Sequence, residues 1–419
     1  MPNKIRRLSL QSCYEAEQVL KETMNSNKPH IRSVSTFELI TQIPELSGFH
    51  AVRVLDLNSC SWLENYHIRS IASLFELRYL RLSSARISEL PEELGTLKYL
   101  ETLDLRDCYR ITRLPPTIVR LRKLARLFVE DDTELPDEIG EIESLEEISD
   151  AASSNNTAEF VQQLGRLTKM RTLFINYHKL AEKCDDLEHC NKIMVSSLSE
   201  LGRHGLRSLW IESGDYVLES LMGGSSCTLA PIQQLCIGGQ QYPISRMPKG
   251  VSVLVNLVDL RIHVERINEK DLLILGAIPS LLFLFMMFSN APKERLVIGN
   301  QGFRHLKEFF VRSQGGGGLG VVFAPRAMPE LRRLCLDFKA RGIVPKYEGV
   351  DTGIEHLKSL SDIVVEIYCF EATKSEVEAM EVAIMKAARL LPNSPAFRIR
   401  RFLEDEMVED KETISCEGG

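Results

Sequence analysis

Along this chain apolar residues recur in the order L-x-x-L-x-L, often closed three residues further on by Cys, Asn or a small residue. Leu100, Leu103, Leu105 and Cys108 give the clearest copy; Val52, Leu55, Leu57 and Cys60 match it, as do Leu77, Leu80 and Leu82. Copies begin at Ile5, Ile31, Val52, Leu77, Leu100, Leu124, Leu145, Met170, Leu206, Ile232, Leu257, Leu281, Leu306, Leu331 and Leu360, so that most starts lie 21 to 29 residues apart. A spacing of this length and regularity is the mark of a stacked-repeat architecture. The step from Met170 to Leu206 is longer and predicts an inserted loop or helix.

Successive side chains of a strand point to opposite faces. Leu103 and Leu105 therefore point inward, while Thr102, Asp104 and Arg106 point outward. A single repeat cannot bury its own leucines, so neighbours must stack into a continuous, nearly one-dimensional core. Cys108 and its counterparts Cys13 and Cys60 fall where the chain turns away, and a thiol there satisfies turn backbone groups weakly. Between strands the units Leu90-Pro91, Leu114-Pro115 and Leu135-Pro136 recur in phase, each followed by apolar residues three or four apart. Proline suits the first turn of a short helix, and this spacing buries one helix face. The fold class predicted is an α/β solenoid, with a parallel sheet on a concave face and short helices and irregular loops on the convex face. About 15 repeats span residues 1–370.

The outward strand positions are the informative ones for function. Tyr79, Phe128, Phe174, Trp210, Phe283, Phe285, Met287 and Phe310 are large and apolar there. Aromatic anchors carry much of the energy of protein interfaces, so Tyr79, Phe128, Phe174, Trp210, Phe285 and Phe310 are the candidate protein-binding residues. A one-residue slip of register would turn them inward instead.

Charge adds a second candidate. The chain carries a formal net charge of -7, yet Arg110, Arg113, Arg120, Arg122, Lys123 and Arg126 lie close together in a mildly basic first third. This run reads either as a solvated face or, through Arg113, Arg120, Arg122 and Lys123, as a docking patch for an acidic domain. The acidic total and the lack of a recognisable nucleic-acid-binding module argue against nucleic acid as a partner. The ten cysteines have no paired spacing, which predicts reduced thiols and a cytoplasmic location. The most apolar stretch, Leu281 to Phe288, is too short to span a membrane and reads as a buried strand.

The sequence carries no recognisable catalytic motif. Gly315, Gly317 and Gly320 fit G-x-G-x-x-G, but Val321 to Pro325 follow rather than a helix start, so no cofactor is predicted. His178, Cys184, His189 and Cys190 match no zinc spacing. A recognition role, not an enzymatic one, is the expectation.

The ends are less regular. Ser12 to Glu15 reads as a capping box before a helix, and Ser375 to Glu378 as a second box opening a helix that Pro392 ends. Residues 371–395 are expected to cap the solenoid, and 396–419 to be an acidic, disordered tail. A first strand that opens within five residues of Met1 leaves a core edge exposed, which implies a preceding segment or a covering partner.

The opening Ile5 to Leu10, the repeated Leu-Pro-x-x-Leu/Ile-Gly-x-Leu units and the run Ala379 to Ala388 leading to Leu391-Pro392-Asn393-Ser394-Pro395 together resemble the leucine-rich-repeat region of plant intracellular immune receptors, most of all the coiled-coil nucleotide-binding type from grasses. That resemblance implies binding of a pathogen effector or a guarded host protein, and restraint of the receptor's nucleotide-binding and coiled-coil domains, neither of which is in this sequence. The repeat unit by itself also resembles Shoc2-like signalling scaffolds. A ubiquitin-ligase recognition subunit is the third possibility, and it would require an adaptor-binding region upstream.

Overall fold

The computed structural model describes residues 6–11, 30–37, 49–58, 60, 63–84, 86–130, 133–153, 157–212, 215–223, 228–239, 242–290, 296–313, 321–341 and 352–409. The chain divides into two units, Met1–Ile211 and Glu212–Gly419.

In the first unit the L-x-L pairs form strands: β1 (Arg7–Gln11), β2 (Ser33–Phe37), β3 (Val54–Leu57), β4 (Tyr79–Leu82), β5 (Thr102–Asp104), β6 (Arg126–Phe128), β7 (Glu134–Leu135), β8 (Glu147–Ser153), β9 (Thr172–Asn176) and β10 (Ser208–Glu212). They pair in parallel and in register: Leu55 meets Leu80, Leu80 meets Leu103, and Leu103 meets Leu127. Each repeat docks on the one before through the same pair of bonds. Arg78 and Tyr79 both donate their N–H to Arg53 O, Glu101 and Thr102 to Arg78 O, and Ala125 and Arg126 to Glu101 O. Leu103, Leu105, Leu127 and their equivalents are buried, as the alternation required.

Behind the sheet the Leu-Pro units close into 3₁₀ turns at Glu92–Thr96, Pro116–Arg120 and Asp137–Glu141. Pro91, Pro115 and Pro136 stand at the cap rather than inside the turn, and each carbonyl accepts from the residue three further on, Leu94, Ile118 and Ile139. The glycine of the motif has a packing reason. A Cβ on Gly95 would lie 2.5 Å from Thr117 O, so any larger residue pushes neighbouring turns apart. Helices α1 (Asn65–Ile71), α2 (Thr157–Leu164), α3 (Tyr177–Glu182) and α4 (Leu187–Arg203) fill the longer connections. The last two occupy the long step after Met170. Of the inserted loop or helix expected there, the helix is found: α4 is capped by Asp186 and buries Cys190, Met194, Leu198 and Leu201.

The second unit repeats the scheme with β11 (Gln234–Ile237), β12 (Asp259–Val264), β13 (Phe283–Phe288), β14 (Leu296–Ile298), β15 (Glu308–Ser313), β16 (Val321–Phe323), β17 (Arg333–Lys339), β18 (Asp362–Tyr368) and β19 (Ala396–Phe402), with helices α5 (Asp215–Met222), α6 (Glu269–Gly276) and α7 (Lys374–Arg389). β11, β12, β13, β15, β17, β18 and β19 form one parallel sheet, and β14 pairs with β16 behind it.

Several expectations are corrected. Residues 396–402 are not tail: β19 pairs with β18 along its whole length, so α7 is followed by a further strand rather than ending the array. Alternating Phe397 and Ile399 against Arg398 and Arg400 is what suits this segment to a sheet. The capping box of α7 is Thr373 with Glu376, two residues earlier than expected: Thr373 N donates to Glu376 Oε2 at 2.8 Å, and Glu376 N to Thr373 Oγ1 at 3.3 Å. Val377, Met380, Ile384, Ala387 and Ala388 form its buried face as the spacing required. Cys184 and Cys190 are joined in a disulfide, against the reading of reduced thiols throughout; the turn from α3 into α4 brings them together. The Ser12 capping box, Cys13, the Gly315–Gly320 loop and the last ten residues lie outside the described residues.

Candidate functional site

In both units one sheet face packs on the core and the other is open. Tyr79, Phe128, Phe174, Trp210, Phe285 and Phe310 all stand on the open face, half-buried. The structure gathers them into three groups rather than one.

In the first group Asp104 sits between Arg81 and Phe128, and Tyr79 stands one outward row earlier, opposite Thr102. Its neighbours Arg81 and Phe128 share its register row. Arg106 Nε and Nη2 donate to Asp104 Oδ1 and Oδ2 at 2.9 and 2.7 Å, and the same guanidinium lies 4.6 Å from the Phe128 ring centroid. Thr102 and Asp104 face outward, as the alternation requires, yet both are buried, with Arg81 and Arg106 set against Asp104. Burial holds the Asp56 carboxyl above its ordinary range, with the Arg81 guanidinium opposing. Phe174 and Trp210 form the second group, stacked with centroids 4.7 Å apart. The insertion that separates them in sequence returns the chain to the neighbouring strand.

The third group is the most developed. Across the second unit the registers align Arg261, Phe285, Phe310, Cys335, Val364 and Arg398 in one row. Phe283 belongs to the row before it and packs on Phe310 with centroids 5.1 Å apart. The row after it runs His263, Met287, Arg312, Asp337, Glu366 and Arg400. Met287 is buried rather than exposed, because His263 and Arg312 flank it in register. A depression of about 280 Å³ opens here, with Phe285, Phe310, Arg312, Cys335, Val364, Arg398 and Arg400 in its walls. Arg333 lies 5.4 Å from the Phe310 centroid. Burial raises the Asp337 carboxyl, and the paired Arg312 guanidinium opposes that rise. His263 is buried, donates from Nδ1 to Gly239 O at 2.5 Å and meets Ser289 Oγ with Nε2 at 2.9 Å; burial lowers its pKa and favours the neutral ring. Sequence reasoning missed these arginines. The signal was available as charged residues at alternate strand positions, above all Arg398 and Arg400.

The basic residues stand apart from this face. Arg113 pairs with Glu134 at 3.1 Å. Arg122 donates to Glu141 O at 2.5 Å, Lys123 Nζ lies 4.5 Å from the Tyr99 ring centroid, and Arg120 ends a 3₁₀ turn with its side chain exposed. Arg113 stands in a β-bridge with Glu134, whereas Arg120 closes the 3₁₀ turn and Arg122 and Lys123 lie between that turn and β6, so the four are split between two stretches of the repeat.

Among the described residues, the thiols of Cys108, Cys236 and Cys335 are poor nucleophiles. Burial pushes Cys108 and Cys335 up to about 11 and Cys236 up to about 12. The thiolate is the reactive form. At pH 8 these three should react slowly with Ellman's reagent in the native chain and rapidly once it is denatured. Native modification at the rate of a free thiol would show that these thiols are not held above the ordinary range. Among the described residues no cluster of three or more His, Cys, Asp or Glu is placed to hold a metal ion, and no helix is long and apolar enough to cross a membrane.

Comparison with known proteins agrees with this geometry. A family model described as leucine-rich repeat region matches residues 30–397. The chain belongs to the leucine-rich repeat family. Among curated relatives, the disease resistance protein RGA5 of Oryza sativa subsp. japonica is 31% identical over 93% of this chain and 34% of its own length. Disease resistance protein Pik-2 of the same rice is 25% identical over 87% of this chain and 39% of its own length. The chain therefore spans little more than a third of the relatives it matches. Among solved structures, an internalin from Listeria monocytogenes aligns with a TM-score of 0.48 at 17% identity, over 73% of this chain and 80% of that one.

Proposed function

We propose that this leucine-rich repeat chain is a protein-recognition module of plant immunity, acting in the cytoplasm and binding a pathogen effector or a guarded host protein on its open sheet face. The relatives named as disease resistance proteins support the setting. The observation that carries the binding role is the row of Phe285, Phe310, Cys335 and Val364 across neighbouring strands, lining a depression with arginines in its walls. Aromatic and arginine side chains in such a setting are the types that dominate interface energy. No catalytic constellation is part of this reading. Exposed Arg120 and Arg122, with Lys123, are assigned to docking a nucleotide-binding domain of the same or a paired receptor.

The test uses the full chain, purified and immobilised, against extracts of infected leaf. Each buried aromatic anchor contributes about 2 kcal/mol or more to binding, roughly thirtyfold in affinity. Phe285→Ala with Phe310→Ala should therefore lose the captured partner while melting within a few degrees of wild type. Unchanged capture by the double variant would remove the open face of the second unit as the recognition surface.

A further inference from the structure

The same depression shows what chemistry its partner carries; this step rests on the protein-binding reading above. Phe285, Phe310, Cys335 and Val364 stand on four neighbouring strands. At about 4.8 Å per strand they form an apolar stripe roughly 14 Å long. Its volume of about 280 Å³ suits one or two side chains rather than a folded surface.

Three of the guanidiniums bounding the stripe, those of Arg312, Arg398 and Arg400, share one arrangement: each is tethered by one nitrogen to a carboxylate less exposed than itself, whereas Arg333 bridges Glu308 and Asp362 through two. Arg312 Nε bonds Asp337. Arg398 Nη2 donates to both oxygens of Asp362 at 2.8 and 2.9 Å. Arg400 Nη1 reaches Glu366 at 3.5 Å. In every pair the carboxylate is the hidden member: side-chain exposures are 6% against 31% for Asp337 and Arg312, 23% against 54% for Asp362 and Arg398, and 19% against 61% for Glu366 and Arg400. A guanidinium has five N–H donors in a rigid fork, and one tether leaves the others available. The less exposed acids thus orient the arginines, and the outermost charged groups of these three pairs are guanidiniums. The pattern is that of positioned donors for carboxylates.

We propose that this depression binds an acidic protein segment, seating an apolar side chain on the stripe and holding flanking carboxylates on Arg312, Arg398 and Arg400. The full chain is titrated against a fluorescein-labelled, C-terminally amidated Glu-Asp-Phe-Glu-Asp peptide, followed by anisotropy, with Gln-Asn-Phe-Gln-Asn as the isosteric neutral probe. The acidic peptide should bind at least tenfold more tightly. Arg398→Gln with Arg400→Gln should cost the acidic peptide at least tenfold and leave the neutral one unchanged. Asp362 keeps Arg333 at 3.3 Å in that variant, and Arg400→Gln alone serves if the pair melts early. Equal affinity for both peptides, or full affinity in the arginine variants, overturns the proposal. If both peptides bind equally and Phe310→Ala loses both, the protein-binding reading stands and only the acidic preference falls. If neither peptide binds, the acidic-segment proposal is overturned, and partner capture continues to judge the broader reading by itself.

Discussion

Leu105→Asp should unfold the repeats around it rather than soften one of them. Leu105 is buried, its N–H donates to Phe128 O at 2.8 Å in the following repeat, and its own carbonyl accepts from Cys108 N at 3.0 Å. The substitution removes a buried leucine side chain, worth about 2 kcal/mol of transfer free energy, and places a carboxylate where no cation stands. Losses above about 4 kcal/mol arise from such unpaired buried charge. Stacked repeats depend on nearest-neighbour interfaces, so damage at one position removes support from both sides. The expected result is loss of much of the cooperative circular-dichroism transition, with rapid proteolysis confined to the first unit. Tyr109→Asp, at an exposed position three residues before Thr112, should change neither. A Leu105→Asp chain with the wild-type melting curve would mean that Leu105 does not face the core.

The strand positions were legible because they follow from a period of two within a repeat that the leucines mark. Leu103 and Leu105 inward, with Tyr79, Phe128 and Phe310 outward, needs no knowledge of the neighbours. What was not legible depends on neighbours. Asp104 points outward by its place in the strand, yet its burial is decided by Arg81 and Arg106, and Met287 is buried because of what flanks it in register. The Phe174 and Trp210 stack required knowing that two helices bring the chain back to the next strand. Cys184 and Cys190 could not be paired from spacing, since the turn before α4 sets their approach. β19 escaped because its A-F-R-I-R-R-F sequence carries neither the leucines nor the spacing of the other repeats. The arginines around the depression escaped for the same reason as Asp104: alternate charged residues look like a solvated strand face until the register shows which acids lie beneath them.

Arg106→Met should destabilise the first unit by about 3 kcal/mol, although Arg106 is itself half-exposed, because breaking a pair with a buried partner leaves that partner's charge uncompensated. Asp104 is the buried member. It accepts from Arg106 Nε, Arg106 Nη2 and the Arg106 backbone N–H, and Arg81 Nε stands 3.7 Å away. Methionine keeps the aliphatic stem that packs beside Phe128 and removes the fork. Arg81 remains, which sets the expectation at the low end of the range for a broken buried pair. The cycle with Asp104→Asn separates the causes. If the loss comes from an uncompensated charge, Asp104→Asn with Arg106→Met should regain most of the stability that Arg106→Met removes, since a neutral amide has no such need of a cation. If it comes from lost packing over Phe128, the double variant should be no better than Arg106→Met. Urea unfolding followed by circular dichroism reads the difference. Wild-type stability in Arg106→Met would show that Arg81 suffices for Asp104, leaving Arg106 free to serve the open face as a surface cation.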